Sequence, residues 1–244
     1  MQGYSRRQLK EDKFAETAQG AAAWAAGHRS TTIGSVVAGV LVILAIIGFV
    51  TWRSRQSEQG NIALASAIRT FDTPLSPAGI PSTPGAPVFT NVVDRAKAGE
   101  KAFKAVADSY SYTGPARMAR YMEGVAALQA GDNAGAEAIL KTAGDSGDQE
   151  ISALAKLSLA ELYRSINRAA DAAKIYKDLA DHPTATVPKT RAQLSMAEMY
   201  ESSAPDQAAA IYQQIQKDNP KSVAAQIAGA KLSGCKPGPG TPSF

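Results

Sequence analysis

The hydrophobic pattern of this chain changes character three times. From Ile33 to Val50, "IGSVVAGVLVILAIIGFV", no charged residue interrupts an apolar run of 18 residues. Eighteen residues rise about 27 Å as an α-helix and the stretch Thr31 to Trp52 about 33 Å, which matches a hydrocarbon core of roughly 30 Å. The pattern predicts a transmembrane helix over 31–52. "TWRSRQ" follows it rather than a small-x-small cleavage site, so the span is expected to remain uncleaved, with Trp52 at the headgroup level and Arg53 and Arg55 beyond. The pairs Gly34/Ala38 and Ser35/Gly39 have the spacing that lets helices approach closely. Plain lipid-facing packing is the reading adopted for them, and a partner contact the alternative.

In the second regime, Leu64, Ala67, Ile68 and Phe71 fall at i, i+3, i+4 and i+7. This predicts an amphipathic helix over 57–71 whose stripe packs against the downstream domain. The stripe stops at "DTPLSPAGIPSTPGAPVF", where Pro74, Pro77, Pro81, Pro84 and Pro87 remove backbone donors and fix φ. An extended, exposed loop over 72–90 is expected.

The third regime, from Asn91 onward, repeats. Small residues at Gly124, Ala160 and Ala197 are followed eleven or twelve positions later by Ala136, Ala172 and Ala208. Four residues further stand Leu140, Tyr176 and Tyr212, then Ala143, Leu179 and Ile215, and Pro183 and Pro220 close the last two units. An earlier half-unit supplies Phe103, Val106 and Tyr110 at helical spacing. Small residues facing each other let two antiparallel helices approach closely, the bulky residue fills the groove beside them, and proline ends the second helix. "AGDN" and "SINR" carry turn formers between paired helices.

This arrangement resembles the tetratricopeptide repeat over 91–232, with "SVAAQIAGAKL" as a terminal helix covering the last unit. The expected fold is all-α, a solenoid of helical hairpins preceded by a single transmembrane helix. One departure is consistent. The aromatic usual near the start of each first helix is replaced by Arg120, Lys156 and Gln193. The resemblance implies a groove lined by first-helix side chains, and counting along the pattern places Arg117, Tyr121, Val125, Gln129, Glu161, Arg164, Arg191, Glu198 and Glu201 on it. Mixed charges with a tyrosine suit peptide or protein recognition.

Charge adds the orientation. Of the net +4, all resides in residues 1–55, since the remainder carries 19 basic and 19 acidic side chains. A neutral body offers no footprint for nucleic acid. Five Lys/Arg precede the span, which favours a cytoplasmic tail over 1–30 and a large domain on the other side. The tail 233–244 reads as disordered from its Pro/Gly content.

Chemistry finds little to use. The single Cys235 with His28 and His182 offers no zinc constellation and no disulfide. The two histidines are not placed for a Ser/His/Asp set, and the carboxylates are scattered. The chain reads as a non-enzyme without catalytic residues, metal or cofactor. "LSGC" has the letters of a lipoprotein box but stands near the C-terminus, where no signal precedes it.

Basic head, single span and helical-repeat domain together resemble the YfgM-like family of bacterial inner-membrane proteins ancillary to the Sec translocon. That resemblance implies a periplasmic domain binding translocon subunits, exported chains or a membrane chaperone. The alternatives are a structural component of an envelope-assembly or cell-division complex, and a cytoplasm-facing membrane adaptor.

Overall fold

The apolar run and the stripe after it form one helix in the computed structural model, which describes residues 29–76 and 87–234. Helix α1 spans Arg29–Phe71. Its two predicted parts are continuous because "WRSRQSEQ" contains no proline and consists largely of good helix formers. The predicted head up to residue 28, most of the proline-rich loop and residues 235–244 lie outside the described residues.

Two units divide at Arg55, Met1–Arg55 and Gln56–Phe244. Within the first, the apolar side chains from Val37 to Val50 are all exposed, Leu41 by 61% and Ile47 by 53%. A cβ added at Gly34, Gly39 or Gly48 would meet nothing. Among the described residues, one helix is long and apolar enough to cross a membrane.

The second unit is built of α2 (Val92–Ser109), α3 (Gly114–Ala130), α4 (Asn133–Gly144), α5 (Gln149–Ser165), α6 (Ala169–Asp181), α7 (Lys189–Tyr200), α8 (Pro205–Asp218) and α9 (Val223–Gly234). No strand occurs among the described residues; a lone bridge pairs Leu75 with Phe89 across the base of the proline-rich loop. From α2 on, each helix packs on its successor, and α3 also touches α5.

Side-chain oxygens start several helices. Asn91, Thr113, Asp132 and Asp148 accept from the backbone N–H of Asp94, Ala116, Gly135 and Ile151, relieving donors that the first turn leaves unpaired. The predicted turns form where the chain can adopt a left-handed conformation, at Gly131 (φ 83°) in "AGDN" and Asn167 (φ 62°) in "SINR".

The small positions do what their spacing predicts. Ala160, Ala197, Ala136, Ala172 and Ala208 are fully buried, as are Leu140, Tyr176 and Tyr212 opposite them. A Cβ at Gly124 would lie 2.7 Å from Leu140 Cδ2, so α3 and α4 meet where one side chain is only hydrogen. The last pair is covered by α9, with Ala228 buried against Ala208, Tyr212 and Ile215.

The half-unit has its missing first helix in the end of α1. Ala67 and Phe71 are buried with Phe103, Val106 and Ala107, and Leu64 and Ile68 pack at the edge of that cluster. Phe71 meets Phe103 edge-on at 5.6 Å and lies over Gly99, where a Cβ would come within 2.5 Å of its ring. Farther back, Gly60 sits against Pro115 and Tyr110. Residues 56–71 and α2 thus pack as an antiparallel pair, separated in sequence by the proline-rich segment.

A polar node ties neighbouring units. Glu137 of α4 accepts from Lys141 (2.7 Å), from the Tyr163 hydroxyl of α5 (2.9 Å) and from Arg168 before α6 (3.0 Å), and Arg168 stacks over the Tyr163 ring at 4.0 Å. Hydrogen bonds from Lys141, Tyr163 and Arg168 hold the Glu137 carboxyl down at about 2 against an ordinary 4.5. A depressed carboxylate contributes its stability in full above its unfolded value and loses it as pH falls from 4.5 through about 2. Glu137→Gln is therefore expected to be less stable than the parent at neutral pH, with the difference shrinking toward pH 2; urea midpoints at both ends of that range measure it.

Candidate protein-binding groove

The face assembled from α3, α5 and α7 grades from apolar to charged. On α3, Tyr121 is half-buried against the central core and Val125 against the cluster shared with α1 and α2, while Gln129 is exposed near the helix end. Arg117 is half-buried, reaches Asp148 at 3.7 Å and keeps its Nε buried without a partner. On α5, Glu161 is half-buried and Arg164 exposed; on α7, Arg191 is exposed and Glu198 half-buried. Glu161 and Arg191 join the two helices at 3.7 Å.

Four of these side chains share one neighbour that the repeat pattern marks only as a core position. Tyr176 is fully buried, and its hydroxyl makes no hydrogen bond. Burial pushes that phenol up to about 12, with Glu161, Arg164, Glu198 and Arg191 acting on it electrostatically. The two acids push it up and the two bases push it down, and burial, the largest cause, sets the sign. A fully buried tyrosine hydroxyl thus lies within electrostatic reach of the charged part of the face, and its place four residues after a small position gave no sign of that.

Glu201 is engaged elsewhere. It accepts from the Tyr212 hydroxyl at 2.7 Å and pairs with Lys231 of α9 at 3.0 Å, contacts that hold its carboxyl below the usual range. It links α7, α8 and α9, which sequence spacing alone does not show because Tyr212 approaches only once α7 and α8 pair. The other eight predicted residues lie along α3, α5 and α7.

The substituted aromatic positions are the other feature of this unit. Arg120 turns to Asp108 (2.8 Å) and Glu123 (2.7 Å). Burial raises the Glu123 carboxyl, and the Arg120 charge opposes that rise. Lys156 pairs with Asp178 at 2.8 Å, and Gln193 is buried with its Oε1 unpaired. No group of side chains suited to a metal ion occurs among the described residues.

A family profile described as tetratricopeptide repeat-like domain matches residues 23–182, from before the apolar run through α6. No curated protein and no solved structure matches the chain. The profile covers well over half of the sequence and takes in both the apolar helix and the first three hairpins: the chain belongs to the tetratricopeptide repeat-like domain family.

Proposed function

We propose that the protein is a membrane-anchored protein-binding scaffold, a periplasmic helper of protein export that engages translocon subunits, exported chains or a membrane chaperone through the face of α3, α5 and α7. Helical-repeat domains of this kind serve protein–protein interaction. The observation that carries the anchoring is the exposure of every apolar side chain from Val37 to Val50, a surface that water penalises and a bilayer accommodates. The excess of Lys/Arg ahead of the span supports a cytoplasmic N-terminus. Tethering raises the local concentration of the groove around emerging chains, so modest affinity suffices.

Affinity capture of the intact protein from gently solubilised membranes tests this reading. Translocon subunits or exported chains are the expected companions. A fixed set of envelope proteins that persists after protein synthesis is stopped would point instead to an assembly role. Reporter fusions at the C-terminus test sidedness, and activity only in the cytoplasm would overturn the periplasmic assignment.

A further inference from the structure

Two cavities open at the same place in successive hairpins. The larger, about 320 Å³, lies between α5 and α6 and is lined by Ser152, Ala153, Lys156, Asp178, Leu179 and His182 among others. The second, about 220 Å³, lies between α3, α4 and the end of α2, and its α3 and α4 walls include Ala116, Arg117, Arg120, Thr142, Ala143 and Ser146. Taken in order, each of these six precedes its counterpart by the interval that separates Gly124 from Ala160. The cavities are therefore one structural feature repeated.

Their cause is a substitution. The repeat pattern carries a tryptophan four residues before the small position of the first helix. Here Arg120 and Lys156 stand at that point, and each lines its cavity while pairing with acids, Arg120 with Asp108 and Glu123 and Lys156 with Asp178. Without an indole, the space between paired helices stays open. In the third unit Gln193 takes the position and is itself buried.

We propose that the slot between α5 and α6 receives an aromatic side chain, tryptophan above all, from a bound polypeptide. Its chemistry suits that occupant. Ala153 and Leu179, both buried, give an apolar floor against which a ring can bury the area that makes aromatics dominant anchors. The Lys156 ammonium stands at the rim, where it can meet a ring face, and the Asp178 carboxylate beside it is an acceptor for an indole N–H. His182, largely exposed, pairs with Asp178 at 3.1 Å and marks the mouth. The slot lies roughly a third of a turn around α5 from the stripe that carries Glu161 and Arg164. It is a contact surface distinct from that stripe, although Arg117 of the predicted groove lines the equivalent cavity one unit earlier, and its occupancy does not depend on Glu161 or Arg164 binding a ligand.

Among the described residues His182 is the one histidine, and it borders the slot, so its imidazole is a local reporter. The full chain in lipid nanodiscs, labelled with ¹³C-histidine, is titrated with a neutral blocked pentapeptide having a central Trp, and with the same peptide carrying Ala. Saturable shifts of the His182 resonances with the Trp peptide alone are expected, His28 remaining unchanged. Lys156→Trp supplies the pattern's own residue in cis. It should weaken the Trp peptide by about tenfold or more, while thermal melting shows an equal or more stable fold. Absence of a His182 shift, an equal shift with the Ala peptide, or full binding to a folded Lys156→Trp protein would each overturn the proposal. The wild-type titration decides the matter even if that variant does not fold. Arg191→Glu, a change on the groove face, should leave the response intact, which keeps this test separate from the groove reading.

Discussion

Phe71→Ala is expected to lower the stability of the first hairpin by about 3–5 kcal/mol, the range for removing a large buried ring. Phe71 is buried, meets Phe103 edge-on at 5.6 Å and covers Gly99. Alanine leaves a cavity there and also removes an aromatic pair worth about 1 kcal/mol within that total. Helical repeats unfold unit by unit, so the loss should be local. Hydrogen exchange should quicken in residues 60–71 and in α2 while α5 to α8 keep their protection. Gly99→Ala supplies the internal check. In the parent the added methyl would lie 2.5 Å from the Phe71 ring and should destabilise. In the Phe71→Ala background the ring is gone and only the residue 71 Cβ, 3.1 Å away, remains, so the penalty should shrink sharply, with up to about 1 kcal/mol of helix propensity acting against what is left. Equal effects in both backgrounds would refute the contact.

Tyr176 carries the second large effect. Tyr176→Ala should cost about 3–5 kcal/mol, because the side chain is fully buried in the core shared by α3 to α7. Tyr176→Phe should act in the opposite direction and stabilise by about 1 kcal/mol, because it deletes a buried hydroxyl that has no hydrogen-bond partner. The same change one unit later, Tyr212→Phe, should destabilise by about 1 kcal/mol, since that hydroxyl donates to Glu201 at 2.7 Å. Chemical denaturation of the three variants separates the shape of the residue from its polar tip. Opposite signs for two phenylalanine substitutions at equivalent repeat positions is the result to look for.

The hairpins from α3 to α8 were legible because their code is steric. Gly124, Ala160 and Ala197 must face Ala136, Ala172 and Ala208 for the helices to meet, and such a constraint leaves a period in the sequence. The first hairpin was legible only by halves. Its first helix is the end of α1, where the apolar run dominates the hydrophobic signal, and the intervening sequence from Asp72 to Thr90 puts its partner out of register with the later units. The stripe Leu64, Ala67, Ile68, Phe71 did show that this segment seeks a partner, although not that the partner is Gly99 and Phe103.

For the candidate surface, periodicity placed side chains along α3, α5 and α7 but could not supply their pairings. Glu161 meeting Arg191, and Glu201 drawn away to Tyr212 and Lys231, arise from contacts between helices that no spacing encodes. The replaced aromatics were visible as Arg120, Lys156 and Gln193. That open space adjoins two of these replacements depends on where their side chains pair, which is set by Asp108 and Asp178 on neighbouring helices and by Glu123 on Arg120's own helix.

The most direct test of a membrane-tethered, chain-binding repeat is site-specific photocrosslinking in living cells, with a photoreactive amino acid placed in turn at Tyr121, Glu161 and Glu198 and, for comparison, at the exposed Lys177 of α6. Adducts with translocon subunits or newly exported chains from the first three positions and not from Lys177 are the predicted result. Recovery of no protein adduct from the groove positions, or the same adducts from all four, would contradict it.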